Sequence, residues 1–376
     1  MGTNDMSLSV FEDEDWLDRM YRKSESDNTR TCAKTSLTMF EYFCTTKKTT
    51  KIKMIQYYQE LFNQNKPDIR RICLSLDNFI QFLNEDHDEI ILNKIGQKLF
   101  KKKSPKTIKT YFSFLKSYLR QCHGIRITTD DVKDYIQFPK QRREQRRPLE
   151  LKTVKKIMNY ASPARKALYY TLISSGMRIG ECLALRKKDF HLNENPVRIT
   201  LEAEITKTKE SRETYISNEA LEKLKSILEK KQDNDLVFSN TEIPRQAINT
   251  EEAYFLHLRE KLGLTEKYPN STRFIVNIHA FRAYFHTKAS QKHGSDYANA
   301  LDGHSGYLKQ YYRLSEEDRA KKYKELESEL FVESIQLESE KKKDKIIEDL
   351  QKEMSKMQDA MIRANILNES GNVKQD

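Results

Sequence analysis

The sequence is poor in the residues that build nucleotide-binding loops. Glycine supplies only ten of its 376 residues, and they form no GxGxxG or P-loop pattern, so nothing indicates nucleotide binding. No stretch approaches the ~18 apolar residues that a membrane-spanning helix needs, and the acidic N-terminus does not resemble a signal peptide. The five cysteines form no CxxC pair, which argues against a disulfide framework and a structural zinc site. We therefore expect a cytoplasmic protein in a reducing compartment, with no cofactor and no metal.

The charge balance favours a polyanionic partner. Charged residues make up 33% of the chain, and the formal net charge is +11. Such an excess of positive charge is typical of proteins that bind DNA or RNA, but a soluble basic protein without such a partner can share it. The length exceeds what one ordinary core organises and fits two domains.

The pattern along the chain predicts five segments. Residues 1–28 hold eight acidic residues and are expected to form a mobile acidic arm. Residues 29–136 have helical apolar spacing and predict a small helical domain. Residues 137–148 are a basic linker, residues 149–330 a second, mostly helical domain, and residues 331–376 a charged helical tail with a weak coiled-coil stripe and a disordered end.

The fold class expected from these patterns is mainly α with a small β-hairpin, an α+β arrangement. The hairpin is predicted in the second domain, where Val197–Leu201 alternates in polarity and Glu213–Ile216 returns after a polar turn.

One helix of the first domain carries charge of a single sign. It is predicted to begin at Ser104-Pro105, a capping residue followed by proline at the first helical position. Between Lys98 and Arg120 there are eight basic residues and no acidic one. The face opposite its apolar stripe is therefore a candidate phosphate contact, and its polar candidates are Lys106, Lys109, Thr110 and Lys116.

The linker offers a second basic candidate. Its arginines at 142, 143, 146 and 147 can contact a duplex that passes between two domains. A plain solvated hinge has the same composition, so Arg142, Arg143, Arg146 and Arg147 are candidates only.

Four fragments of the second domain stand out when they are considered together. Each one alone is compatible with an ordinary structural role. Arginine near a helix start can hold an anion, a lysine on a hairpin turn can reach into a groove, and a His-x-x-Arg pair shares one helical face. The fragments are Ser175–Leu183 with Arg178 and Glu181, Thr206–Arg212 with Lys207, His279-Ala280-Phe281-Arg282, and Gly303-His304 followed by Tyr311-Tyr312.

In this order, the fragments resemble the signature of the tyrosine recombinase (integrase) family. The resemblance covers about residues 149–330. Residues 29–136 resemble the core-binding domain of that family only in general pattern, and the acidic arm and charged tail lie outside the resemblance.

The resemblance implies a role for each residue of the signature. Arg178 and Arg282 would clamp the scissile phosphate, with Glu181 supporting the site. Lys207 would protonate the departing 5′ oxygen. His279 would act on the nucleophile's proton or on the phosphate, and His304 would be a further donor to the phosphate.

The nucleophile has two candidates. Tyr311 stands seven residues after His304 and Tyr312 eight, whereas many family members have a spacing of nine. Gly303 to Glu317 resembles archaeal and mobile-element members with a shorter loop, and this favours Tyr312. A free tyrosine has a pKa near ~10, so its attack needs a proton acceptor or a positive field, which the two arginines would supply.

The resemblance also implies partners and a biological role. These are double-stranded DNA carrying specific sites, a homo-tetramer on that DNA, no requirement for ATP or metal, and a nucleoid-associated location. Integration or excision of a mobile element is favoured. The alternatives are Xer-like resolution of chromosome dimers, a type IB topoisomerase and a catalytically silent DNA-binding protein. A helix after Tyr312 is expected to pack onto a neighbouring subunit.

Overall fold

The computed structural model describes residues 13–93, 96–141, 146–269, 271–304, 314–333, 350–354, 356–357 and 360. The chain divides into two compact units, residues 1–144 and residues 145–376. Within the described residues, no helix is both long enough and apolar enough to cross a membrane. The mainly helical fold with a small antiparallel sheet agrees with the predicted fold class.

The first unit is a helical bundle with one added hairpin. Its core is rich in aromatic rings, and Phe40 and Phe79 meet edge to face with their centroids 5.5 Å apart. The elements are α1 (Asp13–Ser24), α2 (Asp27–Thr46), α3 (Lys51–Phe62), α4 (Ile69–Asn84), β1 (His87–Asn93), β2 (Gly96–Phe100), α5 (Pro105–His123) and α6 (Thr129–Tyr135).

Helix α5 has the start predicted from the sequence. The Ser104 hydroxyl accepts a hydrogen bond from the Thr107 amide, and Pro105 occupies the first turn. Its apolar stripe is buried in the bundle, and Gly124 ends the helix in a left-handed conformation with φ of 72°. The helix therefore shows one face to the core and the predicted basic face outward.

The prediction of a mobile arm is wrong for residues 13–28. Residues 13–24 form α1, and the side chains of Trp16, Leu17 and Met20 are buried. Trp16 packs edge to face on Tyr118 of α5, with 5.2 Å between ring centroids. Burial of each large apolar side chain contributes about 1.5–3 kcal/mol, so three such residues hold the acidic helix on the bundle. Residues 1–12 lie outside the described part of the chain.

The β1–β2 hairpin was not predicted from the sequence. The two strands pair antiparallel from Ile90↔Leu99 to Asn93↔Gly96. The hairpin is an addition to the small helical domain that was predicted over residues 29–136. The start of the predicted linker also belongs to the first unit, since Phe138 packs on Phe112 and the Gln137 amide donates to Asp77.

The second unit packs helices around a three-stranded antiparallel sheet of order β3-β4-β5. The predicted hairpin is confirmed, with β4 paired to β5 from Val197↔Ile216 to Leu201↔Arg212. Its elements are α7 (Leu151–Tyr160), α8 (Pro163–Ser175), α9 (Ile179–Leu183), β3 (Phe190–His191), β4 (Val197–Leu201), β5 (Arg212–Ile216), α10 (Asn218–Leu228), α11 (Pro244–Lys261), α12 (His279–His293), α13 (Ser295–Asp302) and α14 (Glu316–Leu330).

Helix α14 packs on its own unit. Tyr323 is fully buried and donates a hydrogen bond to the Ser174 carbonyl at 2.7 Å. The Glu327 carboxylate accepts from the Asn218 amide, and the Glu219 carboxylate accepts from the Val332 amide just after the helix. Helix α14 is thus fixed on its own unit, and the expectation that the charged helix after Tyr312 packs onto a neighbouring subunit stays a prediction.

Most of the predicted tail lies outside the described residues. The described parts are residues 331–333, where Val332 is buried, a helical stretch at 350–354 and 356–357, where Leu350, Met354 and Met357 are exposed, and residue 360.

Candidate functional site

A turn at Gly176, just after the end of α8, positions Arg178. The chain leaves the fully buried Ser175 through Gly176, which has φ of 68°. A Cβ atom at Gly176 would lie 2.2 Å from a ring carbon of Phe285. Position 176 therefore needs glycine both for its backbone conformation and for the close approach of α12. Two residues later, Arg178 precedes α9.

A buried carboxylate holds Arg178 in place. Glu181 Oε1 lies 2.8 Å from Arg178 Nη1, and Glu181 Oε2 accepts the Arg178 amide at 2.8 Å. Glu181 therefore lies where it can hold Arg178, and its supporting role in a reaction stays a prediction. The guanidinium of Arg178 also donates to the Gly303 carbonyl at 3.3 Å.

Glu181 also binds a second arginine, Arg212 at the start of β5. Arg212 Nη2 lies 2.5 Å from Glu181 Oε2, and Arg212 Nε donates to the Leu301 carbonyl. Burial alone would raise the pKa of Glu181, but the hydrogen bonds and charges of Arg212 and Arg178 outweigh it and lower that pKa. Glu181 is therefore an ionised anchor between two cations.

The third arginine, Arg282 of α12, lies below the surface. Its Nη1 donates to the carbonyls of Gly176 and Asp302, while Nη2 lies 3.5 Å from Asp302 Oδ1. Arg178 contacts the carbonyl of Gly303 and Arg282 that of Asp302, which are adjacent along the chain. The two guanidinium groups therefore converge on one turn, as the resemblance requires.

Arg282 retains its charge despite this burial. Burial, followed by the charges of Arg178 and Arg212, lowers its pKa to about 10, against the opposing effect of Asp302. A group with that pKa is protonated at neutral pH. The side chain of Arg282 is only 3% exposed, whereas that of Arg178 is 24% exposed and that of His304 is 49% exposed. Arg178 and His304 are thus the accessible donors, above a buried positive charge.

His304 is held by the carboxylate of Asp302 at the end of α13. The His304 Nδ1 lies 2.8 Å from both carboxylate oxygens, and the His304 amide donates to Oδ1 at 3.1 Å. Asp302 is fully buried. Gly303 between them has φ of 73°, and a Cβ atom there would lie 2.9 Å from the Arg212 guanidinium. The glycine thus lets the histidine turn approach the arginines.

His279 begins α12 beside the same cluster. It keeps an accessible edge, yet partial burial lowers its pKa below the ordinary value of 6.5. The charges of Arg282, Arg146 and Arg178 act in the same direction. A neutral imidazole at this position is able to accept a proton.

Lys207 lies apart from these residues. It is exposed on the loop that joins β4 to β5, and within the described residues no hydrogen bond or ion pair connects it to the arginine cluster. The Thr206 hydroxyl braces the loop by accepting from the Glu210 amide at 3.1 Å. The structure therefore places Lys207 on the predicted hairpin but does not bring it to the site.

The two candidate nucleophiles, Tyr311 and Tyr312, lie in 305–313, outside the described residues. The description resumes at Leu314, which packs against the hydrophobic cluster around Tyr323. The choice between the two tyrosines stays a prediction.

The predicted DNA-contacting residues of α5 differ in their surroundings. Lys106 and Lys109 are exposed, and Lys109 lies over the Phe138 ring at 5.6 Å. Thr110 bonds back to the Lys106 carbonyl, and Lys116 reaches the Thr128 carbonyl at 3.5 Å. Lys106 and Lys109 are therefore more available for contact with a phosphate than Thr110 and Lys116 are.

The linker arginines also differ from one another. Arg142 and Arg143 are outside the described residues. Arg147 forms an ion pair with Glu266 at 2.7 Å, whereas Arg146 is exposed and its charge acts on His279. Arg146 is the better candidate for contact with an anion at the site.

Sequence reasoning did not assign Asp302, His286 and Arg212 to the site. Asp302 directly precedes Gly303-His304, and His286 lies one helical turn after Arg282, so both had a positional signal. Arg212 appears in the sequence pattern only as the last residue of the fragment that contains Lys207.

A comparison with known protein families finds a match within the second unit. The phage integrase family matches residues 147–313, a span that contains Arg178, Arg282, His304 and both tyrosines. No curated protein sequence matches the chain.

Solved structures of recombinases are similar to the chain. The lambda integrase(75-356) dimer bound to a COC' core site shares 15% identity over 81% of this chain and 98% of that one, with a TM-score of 0.48. XerA recombinase shares 18% identity over 78% and 98%, with a TM-score of 0.35. XerH bound to difH substrate shares 19% identity over 66% and 69%, with a TM-score of 0.42.

The family match thus covers the part of the second unit in which the arginines converge, and residues 147–313 are similar to the phage integrase family.

Proposed function

We propose that the protein is a site-specific DNA recombinase that cleaves and rejoins DNA through a 3′-phosphotyrosyl intermediate. The observation that carries this proposal is the convergence of Arg178, Arg282 and His304 around the turn at Asp302-Gly303. Preorganised positive charge of this kind lowers the barrier to a reaction that builds negative charge on phosphate oxygens.

The first step binds the scissile phosphate. Arg178 and His304 have exposed side chains and donate to its non-bridging oxygens. Arg282 lies beneath them and adds the field of a buried cation, which is stronger in a site of low dielectric. Glu181 and Asp302 hold these donors from behind, so little reorganisation is needed when charge develops.

The second step is attack by tyrosine. The phenol of Tyr312 loses its proton to the neutral His279, and its oxygen forms a bond to phosphorus. The bond from phosphorus to the 5′ oxygen breaks, and Lys207 supplies the proton that this oxygen takes. For that role the β4–β5 loop moves so that Lys207 reaches the phosphate.

The third step is rejoining. The phosphotyrosyl link conserves the energy of the broken phosphodiester, so a 5′ hydroxyl from another strand reverses the reaction without ATP. Double-stranded DNA is the partner, a homo-tetramer on two duplexes is the assembly, and integration or excision of a mobile element is the biological role that we propose.

The test is covalent capture on DNA. Radiolabelled nicked duplexes with a randomised core are incubated with the protein, and adducts are resolved on a denaturing gel. Wild-type protein should form an adduct, and Tyr312→Phe should abolish it while Tyr311→Phe keeps it. The reverse result would move the nucleophile to Tyr311, and the absence of any adduct would reject the proposed chemistry.

A second assay separates recombination from topoisomerase activity. The DNA sequence that is recovered from the covalent adduct is placed on two labelled duplexes and on a negatively supercoiled plasmid. Exchange of strands between the duplexes supports recombination. Relaxation of the plasmid with no exchange between duplexes would instead indicate a type IB topoisomerase.

A further inference from the structure

The buried carboxylate of Asp302 is shared by two imidazoles. His304 Nδ1 lies 2.8 Å from both of its oxygens, and His286 Nδ1 lies 2.8 Å from Oδ2. The two rings stand nearly perpendicular, with 5.2 Å between centroids. His286 belongs to α12, one turn after Arg282, and is assigned no role in the proposed reaction.

The hydrogen bonds fix which nitrogen carries the proton. Asp302 is ionised beside Arg282, and an ionised carboxylate only accepts, so the Nδ1 atoms of His286 and His304 both donate. His304 Nδ1 is then unable to accept from Arg282 Nη2, although the two atoms are 3.2 Å apart. The remaining nitrogen of His304, Nε2, lies across the ring from Asp302 and is the atom left for a phosphate.

The same three side chains offer ligand atoms within 4.8 Å of one another, the spacing of a possible metal site. A metal would displace both Nδ1 protons and would sit beside the Arg282 guanidinium, which is 3.5 Å from Asp302 Oδ1. Repulsion by that cation makes the hydrogen-bonded network the better assignment.

We propose that His286 is a positioning residue for DNA cleavage, which holds the Asp302 carboxylate and thereby sets the orientation and protonation of His304. This inference rests on the proposed function, in which His304 donates to the scissile phosphate.

Several charged or titratable groups surround the turn of Asp302, Gly303 and His304 in the described residues, and they come from four parts of the fold. They are Asp302 on α13, His279, Arg282 and His286 on α12, Arg178 and Glu181 at α9, and Arg212 on β5. Only Asp302 and Glu181 among them are anionic, and Glu181 is bound by Arg178 and Arg212. Asp302 is thus the carboxylate that stabilises a proton on His304, and a change in its second partner acts on His304 directly.

His286 has two effects on this carboxylate. Its hydrogen bond restrains Oδ2, so Asp302 presents a fixed acceptor to His304. The same bond draws negative charge away from His304. Loss of the bond should therefore misorient His304 and, at the same time, favour its protonated form.

The experiment compares two substitutions that differ in whether they can donate a hydrogen bond to Asp302. His286→Asn keeps a side-chain N–H near the place of Nδ1, and His286→Phe keeps the ring packed on His304 but removes the donor. Single-turnover cleavage of the captured nicked duplex is measured from pH 5.5 to 9.0. We expect His286→Asn to stay within about twofold of wild type and His286→Phe to lose about tenfold, equivalent to about 1.4 kcal/mol.

The pH profile separates this role from a merely structural one. In His286→Phe the alkaline limb of the cleavage rate should move to higher pH, because the Asp302 carboxylate no longer shares its negative charge with His286. In His286→Asn the limb should remain where it is in wild type. A wild-type rate and limb in His286→Phe would overturn the inference.

A double-mutant cycle tests whether His286 acts through His304. In a His304→Ala background, His286→Phe should change the cleavage rate less than about twofold, since the residue through which it acts is gone. A full tenfold loss in that background would also overturn the inference.

Nitrogen NMR on the free protein separates this inference from the proposed function. Wild type and His286→Asn should show His304 with a protonated Nδ1, and His286→Phe should shift the nitrogen resonances of His304. A wild-type His304 without that proton overturns the inference even if His286→Phe does not fold. Absence of any DNA adduct, together with the expected spectra, rejects the proposed function but leaves the network in place.

Discussion

Arg212 and Glu181 form an ion pair that is almost closed to solvent. Arg212 Nη2 lies 2.5 Å from Glu181 Oε2, and the two side chains are 5% and 2% exposed. Glu181 also binds the more exposed Arg178, so one carboxylate ties the β4–β5 hairpin to the start of α9. The site and the stability of the second unit therefore depend on the same residue.

Removing this carboxylate should destabilise the second unit. Glu181→Ala leaves Arg212 buried without a counter-charge, and breaking a buried pair in this way costs about 3–5 kcal/mol. Glu266→Ala is the control, because it breaks the exposed pair with Arg147, for which a loss of about 0–1 kcal/mol is expected. Urea unfolding followed by circular dichroism measures both, and equal losses would contradict the buried-anchor role.

Glu181 should also make stability depend on pH. Its pKa is lowered in the folded state, so its contribution is present above the ordinary carboxyl pKa of about 4.5 and is lost as pH falls through the folded value. Glu181→Gln has no such titration. Between pH 5 and pH 3, wild type should therefore lose stability more steeply than Glu181→Gln. Parallel curves would show that the carboxylate is not stabilised by its arginines.

Helix α1 should contribute to the stability of the first unit. Trp16 is fully buried, and replacing a buried tryptophan by alanine costs about 3–5 kcal/mol. Tyr21→Ala on the same helix is the control, because Tyr21 is exposed and should change stability by less than about 0.5 kcal/mol. Circular dichroism is the suitable probe, since Trp16 is the sole tryptophan. No difference between the variants would indicate that α1 does not pack as described.

Helix α1 contains two sequence signals that predict different structures. The acidic run around residue 13 predicts mobility, but Trp16, Leu17 and Met20 lie on one helical face, and their burial outweighs solvation of the charges. A short apolar face can therefore fix a helix on the bundle even when acidic residues surround that face in the sequence.

The meeting of Arg178, Arg282 and His304 was predictable because the order of these residues along the chain is distinctive, and the hairpin was predictable because its strands alternate in polarity. Asp302 and His286 were not assigned, because their role depends on a meeting between the end of α13 and the middle of α12. The local sequence around each residue does not indicate that the two side chains are in contact. Fold class follows from local patterns, whereas the groups behind the site depend on tertiary packing.

Gly176→Ala should damage both the fold and the site. The position has φ of 68°, and a Cβ atom would lie 2.2 Å from the Phe285 ring. Gly124→Ala is a matched control, because Gly124 has φ of 72° with nothing within 4 Å of the added atom. The control should lose only the strain of a left-handed residue, about 1–2 kcal/mol, and Gly176→Ala should lose clearly more.

The catalytic consequence of Gly176→Ala should exceed that of the control. The Gly176 carbonyl accepts a hydrogen bond from Arg282 Nη1 at 2.7 Å, so displacement of this turn moves Arg282. Covalent capture on DNA at a temperature where both variants are folded measures this effect. Equal adduct yields from both variants would show that the turn does not position the arginine.

Arg146 should contribute both to DNA binding and to the proton affinity of His279. Its positive charge is one of those that lower the pKa of His279, after burial and Arg282. Arg146→Gln should therefore raise the pKa of His279 toward 6.5, and it should reduce the slope of log Kd against log salt by about 1 if Arg146 contacts one phosphate. Arg147→Gln is the control, since Glu266 already pairs with that arginine. NMR titration of His279 and binding to the captured duplex at several salt concentrations measure the two effects. If Arg147→Gln changes both quantities as much as Arg146→Gln does, the different surroundings of the two arginines do not determine their roles.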